Sequence, residues 1–283
     1  MKIKEILKRG EDTLLKAGIV DAKLDAFYLL EYCFFMSRMD YLLSQEKEGE
    51  PEKTKEYFAL IEKRSRHIPL QHLTGEQVFM GHSFFVNEDV LIPRQDTESL
   101  VEVLLSLAKE KRVLDLCTGS GCILLSLTLG CKLKKAVGAD ISPKALSVAK
   151  TNEKRLMEEA LYPKEGLFWI ESDIFEKIEG EFDLIVSNPP YIETKEIDTL
   201  MPEVRLYEPY LALDGKEDGL FFYRKIIEKA ADYLSSDGIL AFEIGYQQGE
   251  AVKSLMEAAG YQNVEVKQDL AGLDRIVIGG SYV

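Results

Sequence analysis

Positive charge is in short supply: 35 Lys and Arg stand against 49 Asp and Glu in 283 residues, a formal charge of −14. Nucleic-acid affinity rests mainly on cationic contacts to phosphate, so a dedicated duplex binder is disfavoured and no stable nucleic-acid binding is expected. The densest basic run, KLKK at Lys132–Lys135, reads as a solvated loop. Cysteine is also sparse. The four, Cys33, Cys117, Cys122 and Cys131, form neither a CxxC pair nor the His spacing of a zinc site. No metal is expected; the reading is small buried thiols in a reduced, cytoplasmic protein. Long apolar runs are missing too. The stretch MKIKEILKRGEDTLLKAG is charged every few residues, unlike a signal peptide, and no segment has the length of a membrane span.

What is present is apolar mass, 46% of residues, in two rhythms. From Ile3 to about Leu73 it recurs at helical spacing, with Ile6, Leu7, Leu14 and Leu15, then Ala26, Phe27, Leu29 and Leu30, then Tyr57, Phe58, Leu60 and Ile61. Gly10, Gly18 and EKEGEP are expected to divide this stretch into several helices, giving a small all-α bundle over residues 1–75. Residues 76–94, containing QVFMGHSFFVNEDVLIPR, read as a β-hairpin linker. Over residues 95–283 helical segments alternate with seven short apolar strands: RVLDLC, AVGAD, GLFWI, FDLIVS, GILAFEI, VEVKQD and RIVIGG. That alternation implies an α/β, doubly wound, mostly parallel sheet with its ligand site at the carboxyl ends of the strands.

The first of these strands runs into DLCTGSG, Asp115–Gly121, a turn where glycines allow backbone to approach a ligand closely. A tight strand-to-helix turn would use the same residues. However, Asp140 ends the next strand at close to the ~20-residue spacing at which an acid reaches a ribose diol, which points to a nucleoside. A dinucleotide fingerprint fails because Leu124 stands where the third glycine belongs, and a P-loop fails for want of Gly-Lys-Ser/Thr. A loop led by Asp115 suits a cationic nucleoside better than a pyrophosphate, and S-adenosylmethionine, a sulfonium, fits that description. In SDIF, Asp173 can accept from an adenine amino group while Ile174 or Phe175 covers the ring; a helix N-cap Asp beside a core aromatic explains the same residues.

The second motif is SNPPYI, Ser187–Ile192, at the end of the apolar FDLIV run. Two prolines hold Asn188 and Pro189 in extended geometry and remove two backbone donors. The Asn188 side-chain oxygen and the Pro189 carbonyl then form an acceptor pair suited to an NH₂ group, and Tyr191 offers a face for a planar amide or base. Beside a methyl donor, such a pair would direct the nitrogen lone pair and stabilise the positive charge that grows on it. A rigid turn after a strand is the structural alternative.

With these residues the sequence resembles the N5-glutamine methyltransferases that modify class-I peptide chain release factors. The resemblance spans nearly the whole chain: a helical front domain, LIPRQDTE, LDLCTGSG, Asp140, SNPPYI and DLAGLDRIVIG. An Asn-Pro-Pro-Tyr tetrad alone is shared with methyltransferases of RNA and DNA exocyclic amines; its combination with IPRQDTE and the front domain is more specific. The resemblance implies a seven-stranded, Rossmann-like, S-adenosylmethionine-dependent domain and methylation of the Gln in a Gly-Gly-Gln loop. Carried over by position, Cys117, Thr118, Gly119, Ser120 and Gly121 with Asp140 would hold the donor, joined by Asp173, Ile174, Phe175 and Asn188. Asn188, Pro189, Pro190 and Tyr191 would hold the substrate glutamine, with Asn188, Pro189 and Tyr191 as the catalytic group.

The segment Pro93–Glu98 would line the site, or Asp96 or Thr97 would simply N-cap the helix that follows. The front domain would contact the release factor or act as a stability cap on the sheet. Two positions depart from the family: Gln95 replaces a usual Pro, and Cys117 a usual Gly.

Overall fold

The computed structural model describes residues 1–159 and 166–281. Packing divides the chain into one unit of Met1–Glu76 with Met201–Tyr207, and another of Gln77–Leu200 with Glu208–Val283.

In the first unit the helical periodicity folds as α1 (Ile3–Lys16), α2 (Ala22–Phe34), α3 (Arg38–Ser44), α4 (Pro51–Arg64) and α5 (Leu70–Thr74). Ile6, Leu14, Leu29, Leu30, Tyr57 and Ile61 form its core. Gly10 does not break a helix, contrary to the sequence reading. It lies inside α1 because the Tyr57 hydroxyl packs against it, and a Cβ there would fall 1.9 Å from that oxygen. Gly18, with φ of +78°, follows the end of α1, and Pro51 starts α4 at a position where its missing N–H costs nothing.

The segment Met201–Tyr207 had no signal in the sequence as part of this unit. It contains α9 (Pro202–Tyr207) and is held by ions: Arg64 Nε donates to Asp25 at 2.7 Å, while its Nη1 and Nη2 each donate to Glu203 at 3.0 Å. His67 Nδ1 meets the same Glu203 oxygen at 2.9 Å, and the Tyr207 hydroxyl donates to the Arg66 carbonyl. Arg64 and Asp25 are both buried, so deleting either partner would strand a charge.

The second unit opens with a hairpin, β1 (Glu76–Phe79) and β2 (His82–Phe85), followed by α6 (Gln95–Ala108). Next come β3 (Arg112–Leu116), α7 (Cys122–Gly130), β4 (Lys135–Asp140), α8 (Pro143–Glu159), β5 (Leu167–Glu171) and β6 (Phe182–Ser187). A 3₁₀ turn at Thr194–Thr199 precedes α9, and α10 (Tyr210–Leu213), α11 (Phe221–Ala230), β7 (Leu234–Glu243), α12 (Gly249–Ala258), β8 (Gln262–Gln268) and β9 (Asp274–Gly280) complete the order.

All seven strand segments read from the sequence join one sheet, in the order β5-β4-β3-β6-β7-β9-β8. The strands from β3 to β7 run parallel, and β9 runs antiparallel between β7 and β8. Both faces are covered, which is why β3 and β6 read as continuous apolar runs. On one face Leu100, Val101 and Leu104 of α6 pack with Leu124 and Leu127 of α7 and with Phe79 and Phe84 of the hairpin. On the other, Tyr223, Ile226 and Ile227 of α11 pack with Val252 and Met256 of α12. The chain winds outward from β3 in one direction and from β6 in the other, so a crevice opens at the carboxyl ends of these two neighbours. Among the described residues no helix is long and apolar enough to cross a membrane.

Candidate active site

The loop after β3 is shaped by three residues with positive φ: Cys117 (+57°), Gly119 (+55°) and Gly121 (+78°). Each does something different. Gly121 caps α7, and a Cβ there would come 2.8 Å from the Trp169 ring, so packing requires that glycine. Gly119 faces open space, with nothing within 4 Å of a would-be Cβ. Cys117 adopts the left-handed conformation with a side chain, at a cost of roughly 1–2 kcal/mol; the usual glycine of this position avoids it. Burial pushes its thiol up, so it stays neutral.

Hydrogen bonds fix the loop. Asp140 accepts from Gly119 N through Oδ2 and from Ser142 N through Oδ1, both at 2.9 Å. The buried Asn152 donates to the Ser120 and Phe85 carbonyls and accepts from Phe85 N, tying loop to hairpin. Asn152 carried no motif and was missed in the sequence. Asp115 corrects the reading given to it. It is fully buried, faces no ligand cavity, and accepts from the Thr118 hydroxyl at 2.5 Å. Its Oδ1 has no partner among the described residues, and burial pushes its carboxyl up to about 7.

The loop opens on a cavity of about 370 Å³, within the range of small-molecule sites. Cys117, Thr118, Gly119, Ser120, Asp140, Asp173 and Ile174 line one side, Asn188 and Pro190 another, with Pro93, Arg94, Thr97 and Pro209 closing it. Four of the residues expected to hold the donor or the glutamine lie outside this lining, Gly121, Phe175, Pro189 and Tyr191, and of the segment Pro93–Glu98 so do Gln95, Asp96 and Glu98. Ile174 takes a φ of +52°, and the next ring, Phe175, stacks on Tyr233 in the core with centroids 4.6 Å apart, so it does not cover a ligand. No helix starts at Asp173, which removes the N-cap explanation; its carboxylate stands 3.7 Å from Lys225, also in the lining.

Asn188 follows β6 half-buried, with Pro189 and Pro190 buried behind it. The rest of the turn is gripped by residues the sequence did not advertise. Gln248 Nε2 donates to the Tyr191 and Gly219 carbonyls, Ile192 N to the Leu213 carbonyl, and Gly215 N to the Ile192 carbonyl. A Cβ at Gly215 would sit 2.7 Å from the Tyr191 backbone, so the two main chains lie in direct contact. The Pro189 carbonyl accepts no main-chain hydrogen bond among the described residues.

The segment IPRQDTE is not a helix cap. Arg94 holds the N-cap position of α6, no side chain caps it, and Gln95 is the first helical residue, where a proline or a glutamine is equally accommodated. Asp96 pairs with Arg275 at 3.1 Å, Glu98 accepts from Met80 N, and Thr97 is buried in the cavity wall. Arg94 Nη2 reaches both oxygens of the buried Glu208 at 2.6 and 2.7 Å.

Comparison with known proteins shows the family. The PrmC N-terminal domain matches residues 5–75, and the methyltransferase small domain residues 94–204. A release factor glutamine methyltransferase of Clostridium acetobutylicum is 39% identical, covering 98% of each chain. The protein of the same name from Geobacter sulfurreducens is 38% identical over 98% of this chain and 96% of its own. The chain belongs to the release factor glutamine methyltransferase family. Solved structures are more distant and bear on the fold alone. A Pyrococcus furiosus methyltransferase superposes with a TM-score of 0.52 at 18% identity, covering 73% of this chain and 92% of its own. SMU.776, solved with SAH, gives 0.53 at 13% identity over 81% and 65%. Within this methyltransferase family the cavity's polar lining, an acid at the end of β4 and an open glycine beside it, fits a nucleoside ligand.

Proposed function

We propose that this enzyme transfers the methyl group of S-adenosylmethionine to the side-chain amide nitrogen of the glutamine in the Gly-Gly-Gln loop of class-I release factors, giving N5-methylglutamine. The observation that carries this reading is that Asn188 and the donor loop line one cavity. Asp140 retains lone pairs for a ribose diol after its two main-chain bonds, and Gly119 leaves room for the ligand beside it. Asp173 and Ile174 are suited to the adenine edge and face. S-adenosylmethionine supplies, when bound, a methyl on a sulfonium, which the amide nitrogen takes as the S–C bond breaks.

The chain's own task is to hold the glutamine amide, a poor nucleophile, in line. Asn188 Oδ1 and the Pro189 carbonyl would accept its two N–H bonds, keep its lone pair on axis and stabilise charge growing on nitrogen. Tyr191 packs against the core while Gln248 holds its carbonyl, which anchors the turn, and Pro190 shapes the pocket wall. The extra proton on the product amide is strongly acidic and leaves to solvent, so no general base is required.

The formal charge of −14 supports a protein substrate over RNA or DNA. The helical unit is suited to contact the release factor: Phe35, Met39, Leu42 and Leu43 are all exposed on α2–α3. A cytoplasmic location follows from that substrate. The test is transfer of labelled methyl from the donor to a release factor. Label should vanish on Gln→Ala in the Gly-Gly-Gln loop, and Asn188→Ala should slow transfer by roughly 10²–10³ with donor affinity retained. Label that persists on the Gln→Ala factor overturns the reading.

A further inference from the structure

Glu243 is a buried carboxylate beside the turn. It ends β7 directly after Phe242, which pairs with Ser187 on the parallel neighbour β6, so Glu243 stands level with Asn188. Its residue is 1% exposed. Thr97 and Asn188 are polar side chains that favour its ionised form, its Oε2 has no partner among the described residues, and the Tyr223 hydroxyl secures its main-chain carbonyl at 2.9 Å. A carboxylate can only accept, so the group with which Asn188 can answer it is the Nδ2 amine. The other end of that amide, Oδ1, is then the one free for a ligand. Without such a partner the amide can turn over and present N–H to an incoming NH₂, donor against donor.

We propose that Glu243 is a positioning residue of the methyl transfer: its carboxylate, steadied by Thr97, takes the Asn188 amine and so points the Asn188 oxygen at the substrate amide. This rests on the reading of Asn188 as the acceptor for the glutamine NH₂. The groups that face Glu243 are Asp96 and Thr97 of α6, Asn188 and Tyr191 of the turn, Tyr223 of α11, Cys122 of α7 and Arg275 of β9. Burial outweighs Thr97, Asn188 and the Arg275 charge, which favour the ionised form, and pushes the carboxyl up to about 7. Once protonated, Glu243 becomes a donor that competes for the Asn188 oxygen. The rate of transfer therefore rises as pH passes through about 7.

The test is the single-turnover rate against pH, with donor affinity and melting temperature measured in parallel. Glu243→Gln should lose about 10- to 100-fold at high pH, the scale seen for groups that orient another ligand. It should also lose the inflection near pH 7, with donor affinity unchanged. Thr97→Val removes a hydroxyl that favours the carboxylate, so its inflection should move to higher pH, and this readout stands if Glu243→Gln does not fold. Wild-type rate and inflection in Glu243→Gln, or an unmoved inflection in Thr97→Val, overturns the proposal. Asn188→Ala separates the two levels. Full rate in that variant defeats the acceptor reading itself, whereas its loss beside a normal Glu243→Gln defeats only the role of Glu243.

Discussion

The two sides of the cavity are built by opposite means. The donor loop, Cys117–Gly121, gets its shape from its own backbone, with three positive φ values in five residues. The turn Ser187–Ile192 has no positive φ at all; prolines stiffen it, and Gln248, Leu213 and Gly215 hold it from a distance in sequence. A site made by local conformation is exposed to change at its own residues. One made by remote buttressing is exposed to change elsewhere.

Three substitutions test that contrast, in descending order of effect. Gly215→Ala leaves the motif untouched but drives a Cβ to 2.7 Å from the Tyr191 backbone, which must give way. A shift approaching 1 Å at the acceptor should cost roughly 10² in the transfer rate, while donor affinity measured by calorimetry stays near wild type. If both fall together, the two sides are not independent. Gly119→Ala is the converse. Strain of roughly 1–2 kcal/mol and a methyl group in the donor cavity should weaken donor binding by about 10-fold, with a smaller effect on the rate at saturating donor. The smallest change is Cys117→Gly, which relieves the left-handed strain at the price of a freer unfolded chain. A net gain of up to about 1 kcal/mol is expected, read as a melting temperature a few degrees higher. A fall would mean that the Cys117 side chain contributes more through its contacts than its backbone costs.

The same contrast explains what could be read without coordinates. The seven strands were legible because a sheet covered on both faces demands continuous apolar runs, as in FDLIVS and RIVIGG. Gly119, Asp140 and Asn188 were legible because each is needed for its own chemistry at a strand's end. Gly10 was misread as a helix breaker, since a glycine accommodating a tyrosine hydroxyl looks the same in sequence as one that ends a helix. Phe175 was misread because the positive φ of Ile174, unmarked by any glycine, precedes a ring that packs in the core. Gln248, Asn152 and Glu208 were invisible: each acts on a partner more than 30 residues away, and nothing local distinguishes them from surface polar residues.

The sequence by itself determined the alternation of strand and helix, the acidic character of the molecule and the chemistry at the ends of β3, β4 and β6, because periodicity, charge and glycine or proline are properties of single residues and near neighbours. Only the tertiary structure decided that Glu243 is buried level with Asn188, that Asp115 is sealed from the cavity, and that Met201–Tyr207 packs with the helices of the front unit. Those depend on burial and on register between strands, which arise only when distant segments come together and water is excluded between them.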